Sequence, residues 1–378
     1  MKEPLIDNRR QYRLQNFLAR ENGFRRIQLS GLSKCNRVPI MASDGVGIGV
    51  STLSTGEKRG TFLGLQKCNN PWACPVCSAL AVQRKRAQLT SIITNLRAQS
   101  YVAIMVTFTI PHNRSQSAKA VYDRLRAVEK LAKSRIGYYV KSRKFTDGRL
   151  WTFQSTECKY SRLTGWHFHL HKIFFVKASE AARFMTDETE AALTTAWITA
   201  QLKQGEYLKI YKSASITDPV YISRHIIENG DYLVKEMCKR DNGSGASVDP
   251  ITLLDSDDPD DIERYFEYAE ATARTRRFSQ AKGLLQFSDD AETLKKNQAE
   301  NGGVIETAVV ASFTYSDWET ILWLEGGNDG CHRLAILAAA PLGYEAICIC
   351  CRQRGLPEPE RWRRRRREEN QCEARQCD

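Results

Sequence analysis

Three of the chain's six histidines, His167, His169 and His171, stand within five residues of the run GWHFHLHKIFFV (165–176), alternating with Phe168 and Leu170. In a β-strand, side chains at i and i+2 share a face, so the three imidazoles project together, successive Cα atoms about 7 Å apart. Neutral imidazole is the commonest protein ligand for transition metals. The segment WTFQSTE (151–157) precedes the run across the polar turn KYSRLTG. A hairpin centred on Leu163 sets Glu157 opposite His169, Phe153 opposite Ile173 and Trp151 opposite Phe175. Cross-strand neighbours lie about 5 Å apart, close enough to share one ion. Two imidazoles, a carboxylate and water suit Mn²⁺ or Mg²⁺ better than a closed structural zinc site. His169 and His171 are the stronger pair, nearest the apolar continuation that holds the strand still; His167 is a third candidate.

A second cluster is soft. GLQKCNNPWACPVC brings Cys68, Cys74 and Cys77 close together, and a CPxC turn entering a helix presents two thiolates to zinc. A closed structural site needs a fourth ligand, for which Cys35 is the candidate and Cys158 or a histidine remain open. No thioredoxin-like βαβ pattern accompanies the CxxC, and Cys348, Cys350 and Cys351 lack metal spacing. Further on, ENGDYLVKEMCK places Tyr232 and Lys235 at i and i+3, neighbours on one face of a helix. A phenol with pKa near 10 is a poor nucleophile at neutral pH. A cation beside it favours phenolate or neutralises charge on a pentacovalent phosphate. Taken alone, Y-x-x-K is a common spacing that an amphipathic helix needs no chemistry to explain.

The elements that must hold these residues are legible from periodicity. Cys35 to Thr61 reads as a glycine-rich hairpin segment, and SALAVQRKRAQLTSIITNLRAQ as a helix with a basic face. YVAIMVTFTI (101–110), ended by Pro111, reads as a buried strand. Helix is expected from Ser117 to Val140, over 179–203, over 219–239 with an interruption near Asn229 and Gly230, and around 260–275. YLKIYK (207–212) reads as a strand. Together these elements predict an α+β fold, a central antiparallel sheet with helices on its faces. A small zinc-binding N-terminal module and a smaller C-terminal region complete it.

The expected division is an N-terminal extension (1–34), a cysteine module and basic helix (35–98), and a sheet domain (99–240). A linker with helical extension (241–304), a small C-terminal region (305–352) and a basic, disordered tail (353–378) follow. The chain has 378 residues, 42% apolar, and a net charge of +12 that points to a polyanion, nucleic acid before membrane. Arg84, Lys85 and Arg86 on the basic helix are candidate phosphate contacts, as are the arginines 363–367; His112, in the loop after the first strand, either contacts DNA or caps the loop. Twelve cysteines in a long chain favour metal ligation or free thiols over disulfides. With no apolar run of eighteen residues and no signal-like N-terminus, the expected location is the cytoplasm, with no membrane partner.

The run VTFTIPH (106–112), the histidine strand and YLVK (232–235), in that order, resemble the HUH endonucleases, specifically the rolling-circle replication initiators of plasmids. The resemblance covers roughly 35–285 and implies a ferredoxin- or RRM-like sheet. It implies that His169-Leu170-His171 is the metal-binding pair, with Glu157 as the acidic residue ahead of it. It also implies that Tyr232, beside Lys235, is the single attacking tyrosine. Tyr207, Tyr211 and Tyr221 are the nearby alternatives; only Tyr221 has a basic residue, Arg224, three positions on. Lys172 departs from the family pattern, which has an apolar residue there, but it faces away from the metal side. A subset of these initiators, of actinobacterial-type plasmids, has a cysteine before a hairpin and then G-L-x-x-C and W-A-C-P-V-C, which supports Cys35 as the fourth ligand.

The implied activity is metal-dependent nicking and joining of single-stranded or supercoiled origin DNA through a 5′-phosphotyrosine, initiating rolling-circle replication of a plasmid or phage. The host's replication helicase and polymerase are the implied partners. A transposase or relaxase would share the chemistry, although no GxxxxGK[ST] helicase signature is present. A zinc-containing DNA-binding regulator or a metallohydrolase would form no covalent adduct.

Overall fold

The computed structural model describes residues 8–20, 29–41, 45–53, 56–204, 219–231, 247–289, 304–326 and 329–361. They include, in chain order, α1 (Asn8–Arg20), β1 (Val46–Leu53), β2 (Lys58–Leu63), α2 (Pro75–Arg97), β3 (Tyr101–Thr109) and α3 (Ala118–Ser142). Then come β4 (Trp151–Ser161), β5 (Gly165–Lys177), α4 (Asp187–Leu202), β6 (Val220–Ile222), α5 (Pro259–Ala271) and β7 (Phe278–Gln280). Last are β8 (Val304–Phe313), α6 (Tyr315–Glu325), α7 (Cys331–Ala339), α8 (Tyr344–Gln353) and β9 (Glu360–Arg361). The chain divides into two compact units, a larger one built mainly on residues 68–295 and a smaller one on 11–20, 33–67 and 296–378.

The larger unit is a five-stranded sheet in the order β6-β3-β5-β4-β7, each pairing antiparallel. This is the α+β arrangement expected, with the histidine strand at its centre. Alternation along β5 divides the labour. Phe168, Leu170 and Phe174 point to one side, which α3 covers with Val121, Tyr122, Leu125 and Val128; the Tyr122 and Phe168 rings lie 5.4 Å apart. On the same side Trp197 of α4 packs on Phe108 and donates its indole N–H to Thr109 O at 2.7 Å.

Ile173 and Phe175 point to the other side. There α2 lays down Leu89, Ile92, Ile93 and Leu96, a three-four spacing that meets Ala103, Met105, Trp151 and Phe153. Each such side chain fully buried stabilises by roughly 1.5–3 kcal/mol, so this half of the face is held firmly. The helix covers the half of the face remote from the β4–β5 turn. The half near the turn carries the histidines.

The hairpin register is the one expected: Glu157 faces His169, Phe153 faces Ile173 and Trp151 faces Phe175. The turn is tighter than KYSRLTG suggested, because β4 pairs out to Ser161 with Gly165. Gly165 has φ +82°, and a Cβ there would come within 2.9 Å of Arg114 Cα, so glycine alone suits both the bend and the close approach of that loop.

Residues 219–230 do not form the expected helix. Val220 and Ile222 alternate with Tyr221, pair with Phe108 and Val106, and form an edge strand; Ile227 bridges Ala103. The two-residue alternation of β-branched side chains fits β3's free edge better than any helix face. Helix 179–203 divides at Met185, where Thr186 caps α4. The expected strand at 207–212, with Tyr207 and Tyr211, lies outside the described residues.

The smaller unit is a second antiparallel sheet, β2-β1-β8-β9. Its core gathers Ile48, Phe62, Phe313, Trp318, Ile321, Ile336 and Ile347. A buried Arg333–Glu325 ion pair at 2.7 Å, with Gln15 accepting from Arg333 at 3.0 Å, satisfies the charges inside it. The arginines 363–367 lie outside the described residues. Among the described residues, no helix is long and apolar enough to cross a membrane.

Candidate metal centres

Among the described residues, two groups of side chains have donor atoms close enough to hold an ion. The first is Glu157, His169 and His171, whose ligand atoms all lie within 4.8 Å of one another. It exists because β4 and β5 are neighbours in register. Glu157 and His169 are directly opposite, and His171 is the next residue on the same face. Glu157 Oε2 lies 3.2 Å from His169 Nε2 and 3.3 Å from His171 Nε2. Thr107 Oγ1 lies 3.0 Å from His171 Nδ1 and fixes that ring from behind. A held outer nitrogen is what orients an imidazole ligand.

Burial pushes the Glu157 carboxyl up, but the charge of His171 and the hydrogen bonds from both imidazoles outweigh it and hold the group well below the usual carboxylate range. Burial lowers His169, opposed by its hydrogen bond to Glu157. An anionic oxygen beside an imidazole held neutral is a donor set for a cation. Glu157 Oε1 and His169 Nδ1 are buried with no hydrogen-bond partner among the described residues. A buried acceptor left so costs about 1–3 kcal/mol, and coordination would satisfy the carboxylate. The donor set fits a divalent ion.

His167 stands beside this group. Its ring stacks on His112 at 4.7 Å and meets His169 edge-on at 5.1 Å. Burial lowers its pKa to about 3, with His169, His112 and His171 adding to the effect. His112, at the end of the loop that Gly165 admits, is also lowered by burial. The three-residue group is complete without either.

The second group is Cys35, Cys68, Cys74 and Cys77, again within 4.8 Å. Four thiols at that spacing fit a zinc module. Cys74 is the N-cap of α2, its sulfur accepting from Cys77 N at 3.3 Å, with Pro75 in the first turn. The loop before it is drawn tight by Asn70 Oδ1, which accepts from Trp72 N at 2.8 Å and Ala73 N at 2.9 Å. Asn70 N–H points at Cys68 Sγ, 3.5 Å away. Cys35 O accepts from Gln15 Nε2 at 2.6 Å. Cys158 is buried on β4 opposite Phe168 and is not in the cluster.

The structure also assigns roles that local sequence did not suggest. Buried Arg277 donates to Pro71 O and Ser78 Oγ, both at 2.9 Å, and Tyr265 donates to Ala73 O. They brace the cysteine loop against α5 and the β7 end of the sheet. Thr107 is likewise invisible as a site residue until β3 and β5 pair. Arg277 and Tyr265 lie about two hundred residues beyond the loop they hold, so no short-range spacing signals them.

Of the basic-helix residues, Arg84 is exposed, Lys85 donates to Gln88 Oε1 at 2.6 Å, and Arg86 pairs with Asp231 Oδ1 at 2.6 Å. Gly230 N donates to Thr90 Oγ1 at 2.8 Å, and a Cβ on Gly230 would lie 2.2 Å from Arg86 O. The chain is therefore tied to α2 up to Asp231. Tyr232 and Lys235 lie outside the described residues.

No protein-family model and no solved structure matches the chain. Two curated relatives do. Over 152 residues the chain is 26% identical to "Protein rep" of Streptomyces lividans, covering 34% of this chain and 33% of that one. Over 150 residues it is 29% identical to "Neomycin resistance protein" of Streptomyces cyanogenus, covering 34% of each. The chain thus spans about a third of the length of the curated relatives it matches.

Proposed function

We propose that the chain is a Rep-type replication protein of a plasmid or phage that nicks and rejoins single-stranded origin DNA through Tyr232. The observation that supports this best is the convergence of His169 Nε2 and His171 Nε2 on Glu157 Oε2 at the turn end of an antiparallel sheet. The partial similarity to a protein named rep points the same way. A divalent cation, Mn²⁺ or Mg²⁺, held by these three residues would polarise a scissile phosphate and offset its growing charge.

In this reading the Tyr232 oxygen attacks phosphorus in line. The P–O bond to Tyr232 forms as the P–O3′ bond breaks, the strand leaves with a free 3′-hydroxyl, and the phenolic proton passes to that leaving oxygen through solvent. Lys235, three residues on in the sequence, would favour the phenolate. The phosphotyrosine keeps the ester's energy, so a later 3′-hydroxyl rejoins the strand by the reverse step. The host's replication helicase and polymerase would act on the freed strand. Thr107 holds His171 in place, and His112 and Arg84 are offered to the DNA. Zinc at the four cysteines orders the loop that leads into α2.

The test is to mix protein, Mn²⁺ and origin-derived single-stranded oligonucleotide and run a denaturing gel. A protein–DNA band that disappears in Tyr232→Phe supports the reading. Cleavage that survives Tyr232→Phe would make the protein a metallohydrolase, and DNA binding without cleavage would make it a regulator.

A further inference from the structure

The sheet face that carries Glu157, His169 and His171 also carries a phenol that the reaction above does not use. Tyr221 of β6 pairs with Thr107 of β3, and Thr107 pairs with His171 of β5. Residues directly opposite in antiparallel strands project to the same side. The 3.0 Å approach of Thr107 Oγ1 to His171 Nδ1 shows that side to be the metal-group side. Tyr221, Thr107 and His171 therefore form one row across three strands. At about 4.8 Å per strand, the Tyr221 and His171 Cα atoms are roughly 10 Å apart.

Tyr221 is 53% exposed, whereas its neighbours Val220 and Ile222 are buried. Its ring contributes little to any core, yet its backbone is fixed from every side. Thr109 N donates to Pro219 O at 2.8 Å, Ser223 N to Met105 O at 2.9 Å, and Ile222 N to Glu190 Oε2 at 2.7 Å. Arg224 closes the same corner on Asp187 at 2.7 Å. Glu190 occupies the Ile222 amide on the outer edge of this strand, so the edge does not offer that donor to a further strand, and the Tyr221 ring stays exposed beside it.

We propose that Tyr221 is a stacking platform for a nucleobase of single-stranded DNA lying across this face, beside the phosphate at the metal group. The inference rests on the reading of the chain as a protein that acts on single-stranded DNA. Every base has a π-face, so a rigid, exposed aromatic ring gives affinity without sequence preference. Presenting it on a pinned strand keeps its ordering cost low.

The experiment is fluorescence anisotropy at fixed salt with a short single-stranded oligonucleotide containing 2-aminopurine, read alongside the quenching of that base. Tyr221→Leu is expected to weaken binding by roughly 5- to 100-fold and to abolish the quenching. Tyr221→Phe and Tyr221→Trp, which keep a ring, are expected to restore both. Wild-type affinity in Tyr221→Leu overturns the proposal, as does a loss in Tyr221→Phe equal to that in Tyr221→Leu, which would assign the effect to the hydroxyl. If the wild-type protein binds no single-stranded DNA, the functional reading fails with it. If the wild type binds and Tyr221→Leu binds equally well, only the stacking role fails.

Discussion

The two candidate metal groups are built in opposite ways. Cys35, Cys68, Cys74 and Cys77 come from loops, turns and the first turn of a helix, and they supply four soft ligands. Glu157, His169 and His171 come from the turn-side half of two paired strands and offer three nitrogen and oxygen donors. A four-thiolate set closes a tetrahedron and leaves no position for a substrate. A three-ligand set leaves positions open. The origins matter as much as the count. Strands paired over eleven residues put Glu157 beside His169 whether or not an ion is bound, whereas the cysteine segments share only short pairings such as Pro39 with Leu65, so an ion would add more to their order.

The largest effect should follow from disturbing the cysteines. Cys74→Ser with Cys77→Ser removes two of the four sulfurs, and structural zinc is worth on the order of 10 kcal/mol in isolated zinc-finger peptides. The expected outcome is loss of about one equivalent of bound zinc by elemental analysis and a fall in melting temperature on the order of 10 °C or more. A strong chelator should do the same to the unmutated protein. A melting temperature that stays put would show that the cysteine segments hold together without the ion.

Glu157→Gln and His169→Ala should behave differently. Either is expected to weaken Mn²⁺ binding more than roughly 100-fold by calorimetric titration, because one of the three candidate ligands is lost. The melting temperature should shift by no more than a few degrees, since the β4–β5 ladder and the apolar half of the face remain. A collapse as deep as that of the cysteine variant would show that the ion also builds the sheet.

How far these groups could be read beforehand follows the same division. The histidine group was legible because a period of two and a short hairpin determine which residues meet, and Glu157 opposite His169 follows from where the turn is centred. Cys35 was a candidate among several, since what separates it from Cys158 is three-dimensional: Cys158 sits on a strand, turned towards Phe168. The segment after Pro219 reads as helix in the sequence because three residues, Val220 to Ile222, make too short an alternation to outweigh the longer pattern around them. Their strand exists only because β3 has an edge to fill. Thr107 and Arg277 acquire their roles through pairings of 64 and about 200 residues' separation, to which local periodicity is blind. The pairing of the glycine-rich β1 with β8, more than 250 residues on, is of the same kind.

A smaller effect sharpens the picture of how the strands prepare the open group. Thr107→Val keeps the shape of the side chain and removes the hydroxyl 3.0 Å from His171 Nδ1. Outer-shell partners of this kind typically contribute 10- to 100-fold to metal affinity. Mn²⁺ titration should show a loss in that range with the fold intact; an unchanged affinity would mean that packing alone orients His171.

The smallest effect is expected on the reverse side of the same strand. Lys172 follows His171 but points away from it, into the contact with α3, where it is buried and its Nζ lies 3.9 Å from Glu129 Oε1. Arg126 also engages Glu129. Burial lowers the Lys172 pKa, opposed by the carboxylate of Glu129. A buried pair at that distance recovers little of what desolvation costs, so an apolar side chain of similar length serves as well. Lys172→Met should leave Mn²⁺ affinity at the wild-type value and leave stability unchanged or higher by about 1 kcal/mol in urea unfolding. Glu129→Ala, which strands the lysine, should instead lower stability by roughly 1–3 kcal/mol. If Lys172→Met weakened the ion's binding, the two faces of β5 would be coupled, and the separation of a packing face from a ligand face would not hold.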